Sequence, residues 1–173
     1  MNDLYSYFDS ILHIGIVNRN TIVDIVSKEY YELSTRVSDF SGFCKYLASQ
    51  IMDSLRKHQI KCWILHLNDI VSIDHVALIS EYKENGEVKK ILIDPTFIQF
   101  TKMDNRKLIK LKQWPSELMN PKYVKELLTT GVLDIDDDIF NEYLNAFTDE
   151  HFHIGLNEWL FSQKVDPINK TFI

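Results

Sequence analysis

The dipeptide Asn85-Gly86 most constrains the fold, because it lies between two segments with strand character. HVALISEY (75–82) alternates between two faces, and KKILIDPTF (89–97) contains a second run of β-favouring residues. Asn-Gly readily adopts the positive φ angles that a two-residue hairpin turn requires. Residues 75–94 are therefore predicted to form one antiparallel hairpin.

This hairpin would bring together two residues that catalytic sites often use. His75 opens the first predicted strand, and Asp94 closes the second, directly before Pro95. In an antiparallel pair, the start of one strand lies beside the end of its partner. We therefore expect His75 and Asp94 to be neighbours, which is the arrangement in which a carboxylate holds an imidazole in one tautomer.

Cys44 lies where a turn-prone segment becomes a helix. Residues 38–42 are mostly small and turn-forming, and from Phe43 apolar residues recur every four positions. That spacing predicts a helix that ends near His58. A helix N-terminus presents unpaired N–H groups and a partial positive charge, which favour a thiolate. Cys44 is thus a candidate nucleophile if this helix docks beside His75.

Each of these residues also has an ordinary structural interpretation. A single cysteine on a helix is often a small buried hydrophobe, and an aspartate before proline is common in turns. The order of the three residues and their placement on a hairpin favour a Cys44–His75–Asp94 triad, but on spacing alone both interpretations stay open. Cys62, within the apolar run CWILHL (62–67), is predicted to be a core residue.

The order of the predicted helices and strands along the chain indicates an α+β domain, with helices before and after a small antiparallel sheet. Residues 62–67 predict a further strand, and helical spacing of apolar residues covers 1–33. The segment after Pro95 is interpreted as irregular and basic. The chain of 173 residues is long enough for one core, and a single domain over 1–173 is expected. The last helices are predicted at 121–128, 137–147 and 154–161.

Neither of two further groups of polar residues has the spacing of a metal site. Residues 134–138 include four aspartates but lack the glycine and the final glutamate of a calcium loop, so we interpret them as the solvated start of a helix. The histidines His66, His151 and His153 fit no zinc spacing. No metal site is therefore predicted.

Charge and hydropathy bear on the class of partner. The net charge of −6 argues against nucleic acid as the main partner, because phosphate binding needs a concentrated basic surface. The basic stretch Lys102–Lys112 is interpreted as solvated surface. The N-terminal segment does not resemble a signal peptide, and no apolar stretch reaches the roughly 18 residues that span a bilayer. We expect no membrane partner, and a cytoplasmic protein or one exported without a recognisable signal peptide.

The segment SGFCKYLASQIMDSLRKHQIKCWILHL (41–67) resembles the nucleophile segment of the transglutaminase-like superfamily. In that superfamily a turn of small residues leads to a cysteine, a helix, a Leu-Arg … Gly-Ile turn and a strand. Here LRKHQI stands at the turn, with Gln59 in place of the usual glycine. The segment DHVALISEYKENGEVKKILIDPTF (74–97) resembles the second half, where a histidine opens a strand and the strand after the hairpin ends in Asp-Pro-Thr.

The resemblance covers residues 38–98, and the order Cys, His, Asp is also that of papain-like relatives such as bacterial effector proteases and glutamine deamidases. It implies a transglutaminase-like or papain-like core, with helices packed on a small antiparallel sheet. It also implies that Cys44 is the nucleophile, His75 the general base and acid, and Asp94 the orienting carboxylate. Papain-like enzymes usually carry an oxyanion-binding glutamine before the cysteine. No glutamine precedes Cys44, so the second oxyanion donor has no candidate.

The activity implied by this resemblance is thiol-dependent acyl transfer or amide hydrolysis through an acyl-enzyme, with no metal or organic cofactor. With water as the acceptor, such an enzyme is a cysteine protease or a protein glutamine deamidase. With an amine it is an amide-forming acyltransferase. The expected substrate is a protein, a peptide or a carrier-bound acyl group. The alternative is a catalytically inactive binding or interaction module of the same fold, which would tolerate replacement of Cys44.

Overall fold

The computed structural model describes residues 18–38, 42–102, 119–148 and 151–163. These residues form one four-stranded antiparallel sheet, in the order β1-β2-β3-β4, with helices on both faces, which confirms the predicted α+β class. The strands are β1 (Cys62–His66), β2 (Val76–Glu84), β3 (Glu87–Ile93) and β4 (Val132–Ile135). The helices are α1 (Arg19–Ser34), α2 (Cys44–Lys57), α3 (Asn68–Val71), α4 (Gln99–Lys102), α5 (Pro121–Thr130), α6 (Asp137–Asn145) and α7 (Leu156–Ser162), and a 3₁₀ turn spans Pro95–Ile98.

The central hairpin forms as predicted. β2 and β3 pair in antiparallel register as far as Glu84 and Glu87, which leaves Asn85 and Gly86 as the turn. Both turn residues have positive φ, 51° and 79°, as a two-residue hairpin turn requires. β3 ends earlier than the predicted strand, because Pro95 has no N–H for a ladder and begins the 3₁₀ turn.

The backbone conformation at the C-terminal end of α2 explains why the resemblance expects a glycine at the position of Gln59. The Ile60 N–H donates to the Leu55 carbonyl and the Gln59 N–H to the Arg56 carbonyl, both at 2.9 Å. This pair of bonds is the Schellman motif, in which one residue adopts the left-handed conformation. Gln59 is that residue, with φ of +56°. The position where the resemblance expects glycine therefore has a backbone conformation that favours glycine.

Helices cover both faces of the sheet, so alternate strand residues enter two separate cores. Ile64 and Val76 pack with α1 and α2 on one face. Their neighbours Leu65 and Ala77 pack with α5, α6 and α7 on the other. The alternation predicted along the first hairpin strand is therefore present, although both faces are buried. Cys62 is fully buried in the first of these cores, which confirms its prediction as a core residue.

The prediction was wrong about two segments. β4 was missed, because four residues are too few to show a period and pairing with β3 makes them a strand. Asp134 lies in this strand, whereas Asp136 is the N-cap of α6 and accepts from the Ile139 N–H at 2.8 Å. The segment after Pro95 was expected to be irregular, but it forms the 3₁₀ turn and α4.

Some predicted features lie outside the described residues. These are residues 1–17 of the helix predicted over 1–33, residues 39–41 of the loop before α2, and residues 103–112 of the basic stretch. The described part of the first predicted helix forms α1. None of the helices in the described ranges combines the length and the apolar character of a bilayer-spanning segment.

Gly131 ties the end of β3 to the turn between α5 and β4. Its carbonyl accepts from the Asp94 N–H at 2.8 Å. Gly131 has φ of +73°, and a Cβ there would lie 3.0 Å from the Pro95 Cβ and 3.3 Å from the Val26 Cγ1. The backbone angle and the close approach of Pro95 both favour glycine at this position.

Replacement of Gly131 by alanine should cost more stability than the same change at Gly86. Both variants place alanine in the left-handed region, at about 1–2 kcal/mol, but a Cβ at Gly86 meets no atom within 4 Å. At Gly131 the methyl group also crowds Pro95, which adds roughly 1–3 kcal/mol. Denaturant unfolding of Gly131→Ala and Gly86→Ala measures the difference. Equal losses of stability in the two variants would show that the close approach of Pro95 adds nothing to the cost at Gly131.

Candidate active site

The three predicted site residues lie at the end of the sheet where β2 begins and β3 ends. Cys44 is the first residue of α2, His75 directly precedes β2, and Asp94 directly follows β3. The Leu67 N–H donates to the His75 carbonyl at 3.0 Å, which holds the His75 backbone beside the end of β1. α2 packs on β1 and β2, and this packing brings Cys44 to the same edge.

His75 and Asp94 form a buried, two-pronged contact. The His75 Nε2 lies 2.9 Å from Oδ1 and 2.8 Å from Oδ2 of Asp94, and neither side chain has exposed surface. The imidazole packs edge-on against Phe100, with ring centroids 4.7 Å apart. Because the carboxylate holds Nε2, that nitrogen carries the hydrogen, and Nδ1 is the nitrogen left for other partners.

Asp94 has a further buried partner in Tyr143, whose hydroxyl donates to Oδ2 at 2.6 Å. Burial, together with the charge and hydrogen bond of Asp94, raises the pKa of Tyr143 well above its usual value, so the phenol remains a donor. This role was not predicted from the sequence, because Tyr143 follows Asp94 by 49 residues and its position on α6 has the spacing of an ordinary core residue. Tyr143 therefore joins the candidate site as a residue that holds Asp94.

The Cys44 thiol and the His75 imidazole interact, and each shifts the pKa of the other. Burial raises the pKa of the thiol, but the hydrogen bond and charge of His75 and a hydrogen bond from the Val76 backbone outweigh it, so the pKa is lowered. Burial lowers the pKa of His75, but the charge and hydrogen bond of Asp94, with a smaller contribution from Cys44, raise it to about 9. Both shifts favour transfer of the thiol proton to the imidazole, and they therefore favour a thiolate–imidazolium pair.

The N-terminus of α2 places backbone donors next to the sulfur. The side chain of the N-cap residue Phe43 makes no capping bond, and the Leu47 N–H donates to the Phe43 carbonyl at 2.9 Å. The N–H groups of Cys44, Lys45 and Tyr46 lie before this first helical bond. Such groups and the helix dipole stabilise negative charge, both on a thiolate and on an oxyanion.

Gln99 is a second residue that the sequence did not reveal. It is the first residue of α4, it is 9% exposed, and its Nε2 lies 3.3 Å from the His75 Nδ1. The expectation of an irregular segment after Pro95 gave no reason to place Gln99 beside the imidazole. The short 3₁₀ turn and helix that follow Pro95 decide its position.

The remaining sequence candidates lie elsewhere. His66, His151 and His153 are all exposed, at the end of β1 and in the segment before α7. Within the described residues, no group of three or more His, Cys, Asp or Glu side chains is arranged to hold a metal ion.

Comparisons of the chain with models of protein families, with curated proteins and with solved structures found no match in any of the three. The chemistry of the site must therefore be inferred from the contacts among Cys44, His75, Asp94 and their neighbours.

The buried hydrogen bond from Tyr143 to Asp94 should contribute more to the free energy of unfolding than a hydrogen bond of the same length to a partly exposed carboxylate. The Tyr82 hydroxyl donates to the Asp134 Oδ1, also at 2.6 Å, but the Asp134 side chain is 46% exposed. We expect Tyr143→Phe to lower the free energy of unfolding by about 1.5–3 kcal/mol, because a buried carboxylate loses a partner. Tyr82→Phe should cost less, since water can replace the phenol.

Denaturant unfolding of the two phenylalanine variants makes this comparison, because each removes one oxygen atom from a buried ring. Equal losses in the two variants would mean that Asp94 does not depend on Tyr143.

Proposed function

We propose that this protein is a cysteine-dependent acyl-transfer enzyme with a transglutaminase-like or papain-like core. The observation that supports this most directly is the buried contact between the His75 Nε2 and the Asp94 carboxylate, together with the pKa of Cys44, which His75 lowers against the effect of burial. A nucleophilic cysteine needs a neighbour that takes its proton and a third group that orients that neighbour. Cys44, His75 and Asp94 fit these three roles in order.

The reaction begins with the Cys44 thiolate. Its sulfur attacks the carbonyl carbon of a carboxamide or thioester, a C–S bond forms, and the carbonyl electrons move onto oxygen. The Cys44 N–H donates to this oxyanion. When the intermediate collapses, the bond to the leaving group breaks and the imidazolium of His75 gives its Nδ1 proton to the departing amine or thiol. An acyl thioester remains on Cys44.

The second half-reaction releases the acyl group. Neutral His75 accepts a proton from water or an amine as that molecule attacks the thioester carbon, and the thiolate leaves as the imidazolium is restored. Water gives a carboxylic acid, which is the outcome in a cysteine protease or a protein glutamine deamidase. An amine gives a new amide, which is the outcome in an acyltransferase. The substrate is a protein, a peptide or a carrier-bound acyl group.

The energetic cost of the site favours this proposal over an inactive binding module of the same fold. Burying a charged carboxylate and imidazole removes both from water, which costs several kcal/mol per ion before any gain from pairing. A module that only binds partners at its surface gains nothing from a charged pair with no exposed surface. A catalytic cysteine gains a lowered pKa and an oriented proton carrier.

Acylation by a small activated ester tests the proposal. Mixing the protein with p-nitrophenyl acetate should release p-nitrophenolate in a burst and leave an acetyl group on Cys44, as peptide mass mapping would show. Cys62→Ala should retain the burst, and Cys44→Ala should lose it. His75→Gln and Asp94→Asn should slow the burst by roughly 10²-fold or more.

These near-isosteric changes are preferable to alanine, because removing one partner of a buried charged pair costs roughly 3–5 kcal/mol and threatens the fold. A burst that persists at full size in Cys44→Ala would contradict the proposal.

The pH dependence of thiol alkylation gives a second test. Because the pKa of Cys44 is lowered, iodoacetamide should alkylate it at mildly acidic pH, below the range of an ordinary thiol near pH 8.5. His75→Gln removes the charge and hydrogen bond that lower this pKa, so the onset should move to higher pH. Cys62 is the internal control, since it is buried in the core. Equal, slow alkylation of both cysteines in the native protein would count against a catalytic thiolate.

A further inference from the structure

The side chain of Gln99 places a carboxamide beside His75 of the proposed catalytic pair Cys44–His75, and it makes few hydrogen bonds to the described residues. The residue is 9% exposed, and the 3.3 Å approach of its Nε2 to the His75 Nδ1 is the only polar contact of its side chain within the described part of the chain. A carboxamide has two N–H donors and an oxygen with two lone pairs. Most of this capacity is therefore not taken up by the described residues, and it is available to a group that enters the site.

The contact between the Gln99 Nε2 and the His75 Nδ1 weakens when the proposed thiolate–imidazolium pair of Cys44 and His75 forms. An imidazolium carries hydrogen on both ring nitrogens, so neither can accept a hydrogen bond. Nε2 of His75 then donates to Asp94, and the hydrogen on Nδ1, the nitrogen away from Asp94, is the one left for the Cys44 thiolate. The Gln99 N–H groups consequently have no acceptor in the ring. An acceptor that arrives only during the reaction would satisfy them.

The position of the amide matches the place where such an acceptor forms. Nδ1 is the imidazole nitrogen away from Asp94, so the approach of Gln99 to Nδ1 puts the amide on the sulfur side of the ring. The oxygen of an acyl group bound to Cys44 lies next to that sulfur. Cys44 itself supplies one backbone donor there, which leaves room for a second.

The backbone that carries Gln99 is tied to the same site. Asp94 directly precedes the 3₁₀ turn, and the Gln99 N–H bonds back to the Phe97 and Thr96 carbonyls at its end. The next residue, Phe100, packs edge-on against the imidazole of His75. The segment that orients His75 through Asp94 therefore also holds Gln99 at its Nδ1 side.

We propose that the side-chain amide of Gln99 donates the second hydrogen bond to the oxyanion that forms on Cys44. This inference rests on the acyl transfer proposed above, and it supplies the donor for which the sequence offered no candidate. Gln99 is then a catalytic residue, because its N–H contacts the reacting oxygen.

The test compares two reagents that react with the same sulfur. p-Nitrophenyl acetate forms an S–C bond through an oxyanion and loses p-nitrophenolate. Iodoacetamide forms an S–C bond at a saturated carbon, loses iodide and creates no oxyanion. Gln99→Met keeps the length of the side chain without its N–H groups, and Gln99→Ala is a second variant. Gln163→Met, on a glutamine at the end of α7, is the matched control.

In both Gln99 variants the rate constant for acylation should fall about 10²–10³-fold, which is the effect of removing one oxyanion donor. The alkylation rate at the same pH should change little, and Gln163→Met should change neither rate. Thermal melting shows which Gln99 variants are folded.

Two results would overturn the assignment. Acylation at the wild-type rate in the Gln99 variants would exclude the amide as a donor. Equal slowing of acylation and alkylation would mean that Gln99 acts on the thiolate or on His75 instead. Failure of the proposed function is a separate result, seen without any Gln99 variant, if the wild-type protein is acylated no faster than Cys44→Ala.

Discussion

The buried contact between His75 and Asp94 is the interaction on which the rest of the site depends. Two charged groups without exposed surface are stable only when every strong bonding direction is satisfied. Both carboxylate oxygens of Asp94 approach Nε2, and the Tyr143 hydroxyl takes a further position on Oδ2. In the proposed ion pair, a Cys44 thiolate would supply a second negative charge beside the imidazolium. Negative, positive and negative groups would then alternate across the end of the sheet, and each would make the ionised form of its neighbour more favourable.

The location of this site follows from the layering of the fold. The sheet has a helical layer on each face, and in its middle the two layers are separated by the strands. Beyond the start of β2 and the end of β3 there are no strands between the layers, so side chains from both layers can meet. α2 brings Cys44 from one face, whereas α6 brings Tyr143 from the other. The 3₁₀ turn and α4, which continue directly from β3, bring Gln99 to the same point.

The proposed triad by itself does not choose between hydrolysis and amide formation. In the proposed enzyme the nucleophile, the proton carrier and the oxyanion donors would be the same for both reactions, and the outcome would depend on whether water or an amine reaches the thioester. Cys44 is only 7% exposed, which limits access to its sulfur. The residues around the sulfur, and not Cys44, His75 and Asp94, would therefore decide which acceptor the proposed enzyme uses.

The sequence by itself determined the parts of this protein that depend on neighbours along the chain. Asn85-Gly86 specified the hairpin turn, and antiparallel pairing then placed His75 beside Asp94, only 19 residues away. The four-residue spacing from Phe43 specified α2 and put Cys44 at its start. These signals are local because hydrogen-bond geometry links residues a few positions apart.

Tertiary structure alone decided the rest. β4 is a strand because β3 offers it a partner, and four residues carry no pattern of their own. Tyr143 and Gln99 have the sequence context of ordinary residues, and their roles arise from the groups that packing sets beside them. The meeting of Cys44 with His75 likewise depends on how α2 docks on the sheet. Docking is set by the summed packing of two buried cores, which no short stretch of sequence encodes.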